Sequence, residues 1–255
     1  MHTDKRKGEN MAYKILDISK YQNKVDYTKA AKAVDGVILR AGLTYWGSQT
    51  QAADSMFETH YTGFKNQGCP VGVYFYSAAD SVALAYKEAD FLTELLKGRQ
   101  LELPVFYDVE NNERQGSLSK SALTAIVDAF CSKMEKAGYY VGFYASTSWL
   151  ETKLDTDFLA KKYTLWKADY RFLYDKKIAC GMHQYTSQGK VSGISGSVDL
   201  SRCYVDYTKA IKQNGLNGFA KPAVFKTFTV KATKGDIDSF VAKAKELEIT
   251  DYTVA

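Results

Sequence analysis

Short apolar runs that end on a polar residue recur along this chain, and they limit its fold more than any other feature. The sharpest is residues 103–110, LPVFYDVE, which starts as a buried strand and ends in two acids. Side chains alternate across a strand, so Phe106, Asp108 and Glu110 share one face and Val105, Tyr107 and Val109 the other. Two residues of strand rise separate the Cβ atoms of the acids by roughly 6–7 Å. Cleavage of a glycosidic bond uses this kind of pair, one carboxyl protonating the leaving oxygen and the other managing a cationic sugar. Two acids on the buried face of an apolar strand are costly unless partnered or functional. Taken alone, the stretch is equally a strand that has ended and left its acids on a solvated loop.

The other runs build a frame around it. Strands are expected at 13–18, 36–41, 71–76, 140–145, 164–167 and 181–185, with a minimal last one at 198–200. Helical spacing of apolar residues falls at 28–34, 56–67, 81–96, 119–137 and 155–162, several closed by a glycine. Residues 42–55 and 111–116 read as polar loops. Strands alternate with helices, and counting the minimal last one gives about eight strands, which fits an α/β fold, an irregular TIM-like (β/α) barrel whose later connections lack long helices. Asp17, Arg40, Tyr76, Asp108, Glu110, Tyr144, Asp169 and Asp199 all fall at or just past expected C-terminal strand ends. In a parallel barrel those ends share one mouth, where barrel enzymes keep their chemistry.

Composition narrows the function. Tyrosine is abundant, 19 against 13 Phe and 3 Trp; it suits sugar rings, and it is also an ordinary strand residue. A net charge of +5 favours approach to an anionic polymer such as bacterial cell wall, and no basic patch interleaved with aromatics points to nucleic acid. Cys69, Cys131, Cys180 and Cys203 are not spaced as metal ligands, and the three histidines form no cluster, so neither metal nor other cofactor is expected. No apolar run is long enough for membrane insertion. Residues 1–10 (MHTDKRKGEN) carry no apolar core of a signal peptide, so the expectation is synthesis in the cytoplasm, and any action outside the membrane would need another factor to release the protein.

The expected layout is a disordered arm or scar at 1–10, the barrel at 11–213, a linker at 214–222 and a small C-terminal βαβ unit at 223–255. That unit would hold a strand at 225–232, a helix at 235–247 and a strand at 250–254. Its lysines suit binding to wall polymer, and it is equally an assembly element for a homo-oligomer. Residues 205–210 repeat residues 25–30, VDYTKA, which reads as the same helix start used twice.

Four motifs in order resemble the glycoside hydrolase family 25 lysozymes. They are Asp17-Ile18-Ser19-Lys20-Tyr21-Gln22, Asp108-Val109-Glu110, Leu165-Trp166-Lys167-Ala168-Asp169-Tyr170, and Gln184-Tyr185-Thr186-Ser187 with the Gly/Ser loop leading to Val198-Asp199. The resemblance runs from about Tyr13 to Tyr204. It implies a muramidase that cuts the β-1,4 bond between N-acetylmuramic acid and N-acetylglucosamine in bacterial peptidoglycan, of phage or prophage endolysin type. It implies Glu110 as general acid and Asp108 as the ionised partner, which steadies an oxazolinium or orients a water. Asp17 and Asp199 complete the catalytic set, and Tyr76, Tyr144, Trp166 and Tyr170 wall the sugar site. The chain departs from the family at Tyr74-Phe75-Tyr76, where many relatives have a histidine.

Arg40 is expected as a structural partner of Asp17 or Asp108. Asp169 is expected to be solvated or to accept a local hydrogen bond, and His183 to be a satisfied core residue. The rival to the enzyme is a non-catalytic wall-binding protein on a barrel scaffold. A third reading keeps the glycosidase and moves the cut, leaving N-acetylglucosamine at the new reducing end.

Overall fold

The computed structural model describes residues 12–171, 178–222 and 233–246. The chain divides into two compact units, 1–222 and 223–255. The arm expected at 1–10 and the tail strands expected at 225–232 and 250–254 lie outside the described residues.

The first unit runs β1 (Tyr13–Ile18), α1 (Tyr27–Ala33), β2 (Gly36–Thr44), β3 (Gln51–Ala53), α2 (Phe57–Lys65), β4 (Val71–Tyr76) and α3 (Val82–Leu96). It continues with β5 (Val105–Asp108), α4 (Asn112–Gln115), α5 (Lys120–Lys136), β6 (Val141–Ser146), α6 (Thr147–Thr152) and α7 (Thr156–Ala160). It ends with β7 (Thr164–Ala168), β8 (Met182–Gly189), β9 (Val198–Cys203) and α8 (Tyr207–Asn214). The strands hydrogen-bond in the order β1-β9-β8-β7-β6-β5-β4-β2, and β2 pairs back with β1, so they close a barrel. In the second unit the described helix is α9 (Lys234–Glu246); Asp236 Oδ2 accepts from Thr233 Oγ1 at 2.6 Å at its start.

Period-two alternation sorts the strand residues. Leu16, Leu39, Val73, Val105, Tyr107 and Phe143 point outward onto Leu92, Val127 and Phe130 of the helices. Ile15, Ile38, Phe106, Tyr144, Trp166 and Met182 fill the barrel interior. The long helices begin where serine caps stand: Ser81 Oγ accepts from Leu84 N and Ser119 Oγ from Ala122 N. Both VDYTKA copies form the same cap, with Asp26 accepting from Lys29 N and Asp206 from Lys209 N, each at 3.0 Å.

Four local features differ from expectation. Residues 51–53, inside an expected loop, pair antiparallel with Gly42–Thr44 as a hairpin that extends β2 above the mouth. Residues 112–115 form α4, a single turn too short for periodicity to reveal. The last strand is longer than three residues and runs antiparallel to both β1 and β8, so the barrel is not wholly parallel. The expected linker 214–222 begins inside α8, and Asn217 packs against the base of the barrel. Asn217 is fully buried; its Oδ1 accepts from Tyr140 N at 2.7 Å, and its Nδ2 donates to Leu101 O at 3.1 Å and Leu103 O at 2.9 Å.

Candidate active site

Each acid reaches the mouth because of its place in a strand. Asp17 is two residues past inward-facing Ile15 on β1. Asp108 is two past Phe106 on β5, and Glu110 continues the same alternation just beyond that strand's end. Asp199 sits at the start of β9, not at a strand's C-terminal end. Because β9 runs the opposite way, its beginning lies at the same mouth, with Asp199 directly opposite Asp17. Asp17, Asp108, Glu110, Asp199, Tyr144 and Trp166 line one small pocket, together with Tyr74 and Gln184.

Gln184 organises the centre of this pocket. Its Nε2 donates to both oxygens of Asp17, at 3.3 and 3.2 Å. Its Oε1 accepts from Tyr144 Oη at 2.9 Å and from Tyr170 Oη at 2.5 Å. Trp166 is 2% exposed and donates through Nε1 to Ser201 Oγ at 3.0 Å, which makes it pocket floor and not an open platform. Tyr170 is 54% exposed at the rim. Tyr76 is the register partner of Asp108 on β4. At the tip of the β2–β3 hairpin, Tyr45 and Trp46 are exposed, and Arg114 Nε of α4 donates to Trp46 O at 2.7 Å.

The acids differ in setting. Asp17 and Asp108 are buried, Asp199 is half-buried, and Glu110 is open at the rim. Burial pushes the pKa of Asp17 well up, and the charge of Asp199 adds to it. Burial, then Glu110 and Asp17, push Asp108 well up, while Arg40 pulls it down. This qualifies the expectation that Asp108 is simply ionised. Glu110 is raised less, by partial desolvation and then by Asp199. Asp199 is raised by desolvation, against a hydrogen bond with Asp17. Tyr76 is pushed up to about 12, first by burial and then by Asp108 and Glu110. The Oδ1 of Asp108 is buried and has no hydrogen-bond partner among the described residues.

Residues outside the acid set also have defined places. Arg40 faces the mouth, but its ion partner is Asp54 and not Asp17 or Asp108; Arg40 Nε lies 2.6 Å from Asp54 Oδ2. Asp169 is held by Arg171, which draws its pKa down to about 2. His183 is buried, and its Nε2 donates to Asp169 O at 2.8 Å. Tyr74 and Gln184 were not expected as site residues. Tyr74 reads as one more aromatic in an apolar strand, and Gln184 as a motif residue to which the sequence assigns no role. Among the described residues, no group of three or more His, Cys, Asp and Glu side chains is arranged to hold a metal ion. A wider groove between α5 and α7 contains Asp128 and Asp155, but Asp128 is bound by Lys162 and Tyr163 and Asp155 caps α7.

The family profile of glycosyl hydrolases family 25 matches residues 16–194, a span that includes Asp17, Asp108, Glu110, Trp166 and Gln184. The chain belongs to glycosyl hydrolases family 25. It is 30% identical over 191 residues to an autolytic lysozyme of Clostridium acetobutylicum, covering 73% of this chain and 54% of that protein. The chain therefore spans about half the length of this curated relative. It is also similar to the modular autolysin LytC of Streptococcus pneumoniae, solved with a synthetic peptidoglycan ligand. The TM-score is 0.67 at 30% identity, covering 77% of this chain and 48% of that one. A lysozyme of Streptomyces coelicolor shares the fold at 20% identity, with TM-score 0.68 over 83% of this chain and all of that one. Asp199 lies past the end of the profile match and joins the pocket through its register with Asp17.

Proposed function

We propose that this family 25 protein is a peptidoglycan hydrolase, a muramidase that cleaves the β-1,4 bond between N-acetylmuramic acid and N-acetylglucosamine. The observation that carries the reading is the convergence of Asp108 and Glu110 on one pocket, backed by the Asp17–Asp199 pair. The relatives named as lysozyme and autolysin support it.

In this reading Glu110 is the general acid. It is open enough to exchange its proton with solvent, and its raised pKa favours the protonated form. Asp108 presents an unpartnered oxygen to the pocket, which suits a donor brought by the substrate. It either steadies an oxazolinium formed from the substrate's N-acetyl group or orients the attacking water. Four carboxyls this close cannot all be charged, so they hold protons as a group. Tyr170 and Tyr76 flank the sugar, while Tyr144 and Trp166 form the floor beneath it.

Digestion of borohydride-treated peptidoglycan, with the new reducing ends identified by mass spectrometry, tests this. Muramic acid at the ends is the expected result. Glucosamine at the ends overturns the bond assignment, and no new ends overturn the enzyme. For residues 223–255 the proposal is an accessory role, either in holding wall polymer or in pairing copies into a homo-oligomer. Deletion of 223–255 that leaves wall affinity and oligomeric state unchanged removes both.

A further inference from the structure

Glu110 stands just beyond the last ladder position of β5, and its carboxyl has no hydrogen-bond partner among the described residues. Its aim is set by the backbone it hangs from. On the N-terminal side, Val109 N donates to Tyr144 O at 3.0 Å. On the other side lies α4, a four-residue helix that cannot hold itself in water. Something else must fix it.

The fixing group is Gln115, which is fully buried. Its Oε1 accepts from Asn111 N, the amide directly after Glu110, at 3.2 Å. Its Nε2 donates to Ser77 Oγ and Ala79 O, both at 3.1 Å. Ser77 follows β4, and its backbone N donates to Asp108 O at 3.0 Å. Ser77 Oγ in turn donates to Glu88 Oε2 at 2.9 Å. Glu88 belongs to α3 and is also fully buried; its carboxylate accepts from Ala78 N at 3.3 Å and from the Tyr107 hydroxyl. Tyr107 is the residue before Asp108 and points to the opposite side of β5. A buried carboxylate is thus joined through a serine and an amide to the peptide beside the rim acid. Each member of the chain is satisfied, as rigid buried networks require.

We infer that Gln115 and Glu88 are positioning residues for Glu110, holding the backbone that aims its carboxyl over Asp108. The inference rests on the reading of Glu110 as general acid. Burial raises the Glu88 pKa, while hydrogen bonds from Thr44, Tyr107, Ser77 and Ala78 favour its charged form. Catalytic groups tolerate errors of only about 0.5 Å, and a misplacement of about 1 Å costs on the order of a hundredfold in rate.

The test is a double-mutant cycle. Gln115→Met keeps the length of the side chain and loses its hydrogen bonds. It is compared with Glu110→Gln and with the double variant, using solubilised peptidoglycan glycan chains as substrate. Rates are corrected for the folded fraction measured by circular dichroism. The expected result is a fall in kcat of about 10- to 100-fold for Gln115→Met with KM within about twofold. The double variant is expected to be no slower than Glu110→Gln alone, because residues that act as a unit are not additive. An unchanged kcat per folded molecule, or a double variant slowed by the product of the two single effects, overturns the inference. If Gln115→Met does not fold, Glu88→Gln takes its place in the same cycle with the same criteria. Full activity of Glu110→Gln alone overturns the general-acid reading, and that outcome is visible without the Gln115 variant.

Discussion

Asp17 and Asp199 stand directly opposite each other across the antiparallel pair β1–β9, and each shifts the other's titration. Two neighbouring carboxyls do not readily both carry charge, so the pair retains a proton. Burial and the charge of Asp199 push the Asp17 pKa well up, against the two hydrogen bonds from Gln184, so the proton rests on Asp17 and the charge on Asp199.

Asp199 also raises the pKa of Glu110 by its charge. A general acid must be protonated, so the alkaline limb of kcat/KM follows its pKa. Asp199→Asn removes that charge and lowers the Glu110 pKa. The alkaline limb is expected to move to lower pH, with about a tenfold loss of activity at neutral pH. A pH profile measured from about 4 to 9 checks it, and an unmoved limb counts against the coupling.

Glu110→Gln keeps the shape of the side chain and removes the proton. Loss of a general acid lowers kcat by about 10²- to 10⁴-fold. The carboxyl makes no protein hydrogen bond among the described residues, so its replacement leaves the fold in place. Wall lysis rates together with an unchanged circular dichroism spectrum are the measurement.

Asp108 presents the opposite case, a residue expected to cost stability. Its folded pKa is well above the unfolded value, mainly through burial. A carboxyl raised in this way helps the fold below its unfolded pKa and loses that help as pH rises through the folded value. Asp108→Asn should therefore stabilise the barrel near neutral pH by about 1 kcal/mol, or roughly 2–4 °C in Tm. The gain should shrink as the pH falls and the wild-type carboxyl takes up its proton. Thermal melts at pH 4 and pH 7.5 test the sign, and an equal gain at both would contradict it.

Asn217 holds the far end of the barrel. It takes a left-handed φ of 54° and binds Tyr140, Leu101 and Leu103 through its side chain. Asn217→Ala strands these buried groups, at a cost of about 1–3 kcal/mol for each left unsatisfied. Urea denaturation should show a loss of at least about 2 kcal/mol. Shortening the chain to residue 213 should destabilise it similarly, whereas ending it at 222 should not.

Most of the frame was legible because strand alternation and helix caps are local signals. Phe106, Asp108 and Glu110 fall on one side by counting alone, and the strand run 103–110 correctly points its acids at the mouth even though β5 itself ends at Asp108. Strand direction is not local, so the antiparallel entry of β9 could not be read from Val198-Asp199-Leu200. Asn217 sits in Gly-Leu-Asn-Gly, a composition that signals a turn and says nothing of its burial. The roles of Gln184 and Gln115 arise from partners far along the chain, at Asp17 and at Ser77, which no periodicity reports. Arg40 falls at the mouth as its strand position implies, but its partner Asp54 lies just past the hairpin, in a stretch whose composition reads as loop.

The antiparallel last strand also bears on how the molecule becomes active. Asp17 enters with the first strand and Asp199 with the last, and β9 is the piece that bridges β8 to β1. The proton-sharing pair therefore depends on the longest loop closure in the barrel, the kind of contact that forms late and slowly. A chain still emerging in synthesis can carry Asp108 and Glu110 on paired strands without a closed rim around them. On the muramidase reading proposed above, hydrolytic competence is coupled to completion of the barrel, and a partly made chain lacks the closed acid rim.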